Sequence, residues 1–260
     1  MARSAGGGRS ALVTGGVEGL GRAIAEALLA DGYAVTATHR SSDERAKAFS
    51  DAARMRGQRL QAIAADAARR QDVERSIEAH LEAFGPPWAL ILSAGPFLGA
   101  RRTLVDTPPE DAVDMVDGNL VATLRYAQAV LPGMRAAGGG RVILFGYDRA
   151  GELPAWPGRA AYAAAKSGVV SLGRTLAAEE ATYGITVNTI CPGDIRDPLK
   201  EGTIAQAREG GGVKAPVGRA GSGEDIARVV RFFLADDADF LTGNLVYVTG
   251  GLDVLDRGRA

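Results

Sequence analysis

Tyr162 and Lys166 stand four residues apart in AAYAAAKSGVVSLGRTLAAEE, residues 160–180. The stretch is rich in Ala and Leu, holds no Pro and reads as one long helix. An i, i+4 spacing puts both side chains on one face, one turn apart. A phenol ordinarily gives up its proton only near about pH 10. An ammonium one turn away would favour the phenolate and lower that value, which suits the Tyr to proton transfer. The same pair would also be ordinary on a solvated helix face, so its meaning depends on the elements that position it.

The 260 residues, 46% of them hydrophobic, can bury the core of an α/β domain. The formal net charge is -1 and there is no basic run, so neither nucleic acid nor a membrane surface is an expected partner. No segment has the length and apolarity of a membrane span, and MARSAGGGRS does not read as a signal peptide. Cys191 is the only cysteine, which precludes an internal disulfide and points to a reducing, cytoplasmic setting. Residues 1–8 are expected to form a loose arm and residues 9–260 one domain, with a substrate lid around 194–216.

Short apolar runs alternate with helical stretches along the whole chain. SALVTGG, YAVTATHR, RLQAIAAD, WALILSAG, GRVILFG, GITVNTICPGDI and NLVYVTGG read as strands. Helices are expected between them, including one unbroken helix over 109–135 that begins at Pro108-Pro109. Apolar strands without polar alternation, set between helices, predict a doubly wound Rossmann-type α/β fold. Its sheet would be parallel and covered on both faces.

The first strand runs into T-G-G-V-E-G-L-G, residues 14–21, and a helix follows directly. Gly15, Gly19 and Gly21 give the backbone the freedom and closeness that a pyrophosphate needs. The helix start at Leu20 offers free N–H groups. The second strand ends in Thr38-His39-Arg40-Ser41-Ser42 with no acid before Asp43. Arg40 and Ser41 would suit a ribose 2′-phosphate, so NADP(H) is preferred over NAD(H). His39 either stacks near the adenine or only ends the strand.

With TGGVEGLG, YAAAK at 162–166 and CPGDI after the sixth strand, the chain resembles the short-chain dehydrogenase/reductase family. Among its members it is most similar to the 3-oxoacyl-[acyl-carrier-protein] reductases. The resemblance implies a seven-stranded sheet of order 3-2-1-4-5-6-7 and a homotetramer or homodimer. It implies an NADP(H)-dependent oxidoreductase that reduces a carbonyl to an alcohol, with Tyr162 as proton donor. Lys166 would bind the nicotinamide ribose, and Asn119 would support a proton relay. Asp66 and Ala67 would meet the adenine, and Ser93, Ala94 and Gly95 would line the cofactor, Ser93 replacing the family's Asn. Pro192, Gly193 and Ile195 would lie along the nicotinamide. No metal is implied.

The family's substrate-orienting Ser is absent, because no Ser occurs from 141 to 159. Tyr147 takes that place along the strand, and its hydroxyl could polarise a carbonyl. Asp148 is the rival, as in the family's pteridine reductases, and quinones are a further substrate class on that reading. A third possibility is that neither substitutes and the chain is a low-activity NADP-binding sensor. Phe97, Leu98, Leu153, Trp156, Leu199 and Ile204 are expected around the substrate, favouring an apolar or aromatic small-molecule carbonyl compound. Docking charges for an acidic carrier are missing, though Arg135 and Arg141 stand close by. Glu209 and the glycines after it could form a mobile lid.

Overall fold

The computed structural model describes residues 8–210 and 212–253, so all but Gly8 of the expected arm lies outside the described residues. Seven parallel strands form one sheet in the order β3-β2-β1-β4-β5-β6-β7. They are β1 (Ser10–Thr14), β2 (Ala34–His39), β3 (Leu60–Ala64), β4 (Ala89–Leu92), β5 (Gly140–Phe145), β6 (Ile185–Pro192) and β7 (Leu245–Val248). The helices are α1 (Gly19–Ala30), α2 (Asp43–Met55), α3 (Arg70–Phe84), α4 (Pro109–Val116), α5 (Ala122–Ala136), α6 (Ala160–Glu180), α7 (Ile204–Glu209) and α8 (Gly223–Leu234).

Strand alternation divides the core into two layers. From β1, β4 and β5, the side chains of Ala11, Val13, Ile91, Ile143 and Phe145 meet Ile24, Leu28, Phe49, Ile226 and Phe233 of α1, α2 and α8. The intervening Leu12, Leu90, Val142 and Leu144 point the other way, onto Val73, Tyr126, Val130, Met134, Val169 and Leu176 of α3, α5 and α6. This double cover is why the central strands read as unbroken apolar runs. α8 starts sharply because Ser222 and Asp225 form a reciprocal capping box.

The single helix expected over 109–135 is interrupted. Between α4 and α5, residues Asp117–Val121 widen into a π-turn. A Cβ on Gly118 would stand 2.4 Å from Cδ of Pro96, so only Gly allows the loop after β4 to lie against this turn. The π-turn carries Asn119, a position where such local widening often serves a site.

Candidate functional site

The strand order reverses between β2-β1 and β4-β5, and a crevice opens beyond the carboxyl ends of the strands at that point. One cleft of about 1350 Å³ follows it. It is lined at one end by Gly15, Gly19, Leu20, Gly21, Arg40, Asp66 and Ala67, and at the other by Asn119, Tyr147, Asp148, Trp156, Tyr162 and Lys166. Ser93, Ala94, Gly95, Pro192, Gly193 and Ile195 lie along the same cleft. Ser41 is exposed but is not among the lining residues.

The glycine turn is held from below. Thr14 Oγ1 accepts the Ala94 N–H at 3.0 Å, and the Gly15 N–H donates to Thr38 Oγ1 at 3.2 Å. Ser93 Oγ donates to the Thr14 carbonyl, so the residue in the family's Asn position ties β4 to β1. A Cβ on Gly21 would fall 2.3 Å from the Gly15 carbonyl oxygen and 2.8 Å from Ser93 Oγ. The cradle therefore requires Gly there, which fits a backbone approach to a pyrophosphate. Two carboxylates that sequence reasoning missed adjoin this turn. Glu18 accepts from Ser42 Oγ at 3.0 Å, and Glu201 accepts the Gly19 N–H at 2.7 Å while pairing with Arg45. Only the folded chain brings Glu201 there, across 182 positions of sequence.

At the adenosine end, Arg40 is exposed and enters no ion pair among the described residues. His39 is buried at the end of β2, its Nδ1 accepts the Ser42 N–H at 3.3 Å, and it lines the cleft. Asp66 Oδ1 accepts the Ala68 N–H at 3.0 Å, leaving Oδ2 at 3.9 Å from Arg69.

At the other end the electrostatics differ from the sequence expectation. Burial pushes the Tyr162 phenol up to about 12, with further upward contributions from Cys191 and Tyr147. The Arg159 guanidinium works against this, in the lowering direction. Lys166 Nζ donates to the Phe145 carbonyl at 2.9 Å and lies 6.0 Å from the Tyr162 ring centroid. Burial brings its own value down to about 8. The i, i+4 spacing is therefore present, with both side chains on one face of α6. α6 approaches the sheet closely enough for this because a Cβ on Gly173 would meet Thr189 Oγ1 at 2.8 Å.

Asn119 is almost fully buried, its Nδ2 donating to the carbonyls of Met115 and Pro96 at 2.9 and 3.0 Å. Its Oδ1 is a buried acceptor without a partner, an arrangement that calls for a ligand or an ordered water. Around Tyr162 the rings close up. Phe97 packs edge-on at 5.0 Å, Trp156 edge-on at 5.9 Å, and Tyr147 lies tilted at 6.4 Å while stacking on Trp156 at 5.1 Å. Asp148 is buried beside Tyr147 in sequence and also lines the cleft. Of the expected substrate residues, Phe97, Leu98 and Trp156 line the cleft. Leu153 instead faces solvent, Leu199 joins the core under α1 and α8, and Ile204 starts α7 away from the cleft. Gly211 of the supposed lid lies outside the described residues.

A glycine cradle, a switch-point crevice and a Tyr–Lys pair at its far end define a dinucleotide-dependent oxidoreductase class. The sequence profile described as Enoyl-(Acyl carrier protein) reductase matches residues 15–253. A presumed 3-oxoacyl-reductase from Bacillus thuringiensis superposes with a TM-score of 0.89 at 41% identity, covering 95% of this chain and 99% of its own. The 3-oxoacyl-[acyl-carrier-protein] reductase FabG of Escherichia coli is 35% identical over 94% of this chain and 97% of its length. A blue fluorescent protein from a metagenomic library, solved with NADPH, superposes at a TM-score of 0.81 with 30% identity, covering 94% and 98%. The chain belongs to the short-chain dehydrogenase/reductase family of oxidoreductases, close to its FabG-like members.

Proposed function

We propose that the protein is an NADP(H)-dependent carbonyl reductase with Tyr162 as proton donor. The observation that carries this reading is the one cleft joining the glycine cradle and Arg40 to Tyr162, Lys166 and Asn119. The cradle at Gly15 and Gly21 fits a pyrophosphate, and the unpaired Arg40 guanidinium fits a 2′-phosphate. A bound reduced nicotinamide would supply the hydride. The Tyr162 hydroxyl, which no described residue hydrogen-bonds, gives its proton to the carbonyl oxygen. A phenol kept protonated by burial is suited to the reducing direction. Asn119 and Lys166 would replenish that proton, and the partnerless Asn119 Oδ1 supports this as an acceptor for a relaying water. Tyr147 aligns the substrate oxygen, with Asp148 the alternative donor for a pterin or quinone.

The four rings around the transfer point favour a flat, apolar or aromatic carbonyl compound. A 3-oxoacyl thioester is the second reading, favoured by the FabG relative. Against docking of an acidic carrier, Arg135 is held by Glu180 at 2.6 Å and lies over Tyr183, and Arg141 is buried against Trp88. Both cations are committed within the fold. Phe232 on α8 and Phe240 in the segment before β7, both exposed, support a homodimer or homotetramer, which light scattering would count. No helix among the described residues is long and apolar enough to cross a membrane.

The test is NADPH oxidation over ketones, 3-oxoacyl thioesters, quinones and pterins, beside NADPH binding by fluorescence. Tyr162→Phe is expected to lose at least about a hundredfold in kcat with NADPH affinity intact. Turnover retained by Tyr162→Phe would sink the assignment, and a silent panel with tight NADPH binding would favour the sensor reading.

A further inference from the structure

The chain brings an anion of its own to the head of α1. Glu201 lies in the turn between β6 and α7, and its carboxylate accepts the Gly19 N–H at 2.7 Å. Gly19 is the first residue of α1 and a member of the glycine cradle, so this N–H is one that the helix start offers to a phosphate. The same carboxylate pairs with Arg45, near the start of α2. The turn itself is fixed from behind by α8. There the Gly223 N–H donates to the Leu199 carbonyl at 2.8 Å and the Glu224 N–H to the Gly202 carbonyl at 3.2 Å. Glu224 Oε2 also accepts the Ile204 N–H at 2.8 Å. A Cβ on Gly223 would stand 2.0 Å from the Lys200 carbonyl oxygen, so helix and turn are in direct contact. Lys200, next to Glu201, lines the cleft beside Gly19 and Leu20 and is paired with Asp197 at 3.1 Å.

We propose that Glu201 is an internal competitor of the dinucleotide, holding a position at the head of α1 that a cofactor phosphate would use. The proposal rests on the glycine cradle being a dinucleotide site. A carboxylate resembles one edge of a phosphate, because it carries a negative charge and accepts hydrogen bonds from the same donors. A pyrophosphate brought to Gly15, Gly19, Leu20 and Gly21 must either take the Gly19 N–H from Glu201 or lie beside a like charge. Each course lowers affinity. Arg45 makes the first course possible, since it can keep hold of the carboxylate on α2 after Gly19 is released. The other charges near this end are Glu18, which adds to the repulsion, and Arg40 and Lys200, which oppose it. Glu201 therefore sets how tightly the cleft holds either nicotinamide dinucleotide, since the pyrophosphate is common to both.

The experiment compares dissociation constants for NADPH and NADH, by fluorescence titration, in the wild type and in Glu201→Gln. Gln keeps the length of the side chain and an oxygen for the Gly19 N–H, but carries no charge. With 35% of the Glu201 side chain exposed, solvent screens its charge. The expected gain in affinity is accordingly about three- to tenfold, similar for both nucleotides. It should shrink as salt is raised from about 0.02 to about 0.5 M. Glu201→Ala, which removes charge and acceptor together, should bind at least as tightly and is the second variant should Gln not fold. Unchanged or weaker binding in both charge-free variants overturns the proposal; weaker binding is the result if Glu201 and Arg45 instead clasp the bound cofactor. A gain confined to NADPH also overturns it, because the repulsion would then act on the 2′-phosphate and not at the head of α1. The cofactor reading fails separately, by a wild type that binds neither nucleotide.

Discussion

Side chains at the two ends of the cleft illustrate how neighbours, rather than residue type, set what a group can do. Tyr162 and Lys166 are each pushed toward neutrality by burial, to about 12 and about 8. From ordinary values of 10.0 and 10.5, burial has disfavoured the charged form of each. Arg40 is the opposite case, an exposed cation whose use depends on what binds beside it. Replacing it tests the cofactor assignment at this scale. Arg40→Ala is expected to weaken NADPH binding about 10- to 100-fold, the worth of one or two charge-assisted hydrogen bonds, and to leave NADH nearly unchanged. Fluorescence titration with both nucleotides measures it, and equal losses would remove the 2′-phosphate from the reading. Glu18 at the same end makes the outcome informative, because its carboxylate opposes a phosphate placed close to it.

At the scale of elements, the π-turn between α4 and α5 is the feature that delivers a side chain to the site. Asn119 holds the Pro96 carbonyl from this turn, and Pro96 in turn rests where a Cβ of residue 118 would be. Gly118→Ala must push the loop after β4 outward or straighten the turn. Overpacking of this kind costs about 1–3 kcal/mol. Thermal melting should show that loss. Turnover should fall further than stability alone explains, since Phe97 follows Pro96 directly and leaves Tyr162 with it. A variant as stable and as active as the wild type would show that the contact carries neither burden. α6 is the second delivering element, and its glycines at 168 and 173 admit Leu120 and Thr189 where a Cβ would collide.

Across the whole molecule, a buried polar chain ties α3 to the neighbouring strands β1 and β2. His80 on α3 meets Ser10 of β1 at 3.2 Å and Thr36 of β2 at 2.8 Å. Burial lowers its value from 6.5 to about 4. As pH falls below 6.5 the unfolded chain takes up a proton that the native chain refuses until about 4. Stability from this group is therefore complete above that window and is lost progressively within it, by on the order of 3 kcal/mol. Urea unfolding at pH 7 and at pH 4.5 would measure the loss. His80→Gln should be less stable at neutrality but should lack most of this slope; a variant with the wild-type slope would assign it to other groups.

Much of this protein was legible in its sequence. Strand and helix periods, the glycine turn and the Tyr–Lys spacing are local patterns, and local patterns follow from backbone sterics and from which face must be buried. They led to the alternation of strands and helices, while the sheet order and the residues expected along the cleft came from the family resemblance that these motifs carry. Folding alone decided the rest. The π-turn depends on a loop packing against Gly118, and Leu153 and Leu199 were sorted by tertiary burial rather than by their apolar character. The depth at which Tyr162 and Lys166 are buried was likewise set by packing, because the cost of a charge depends on the dielectric around it and not on helical spacing. Local pattern named the phenol; packing decided how deeply it and its lysine lie out of water.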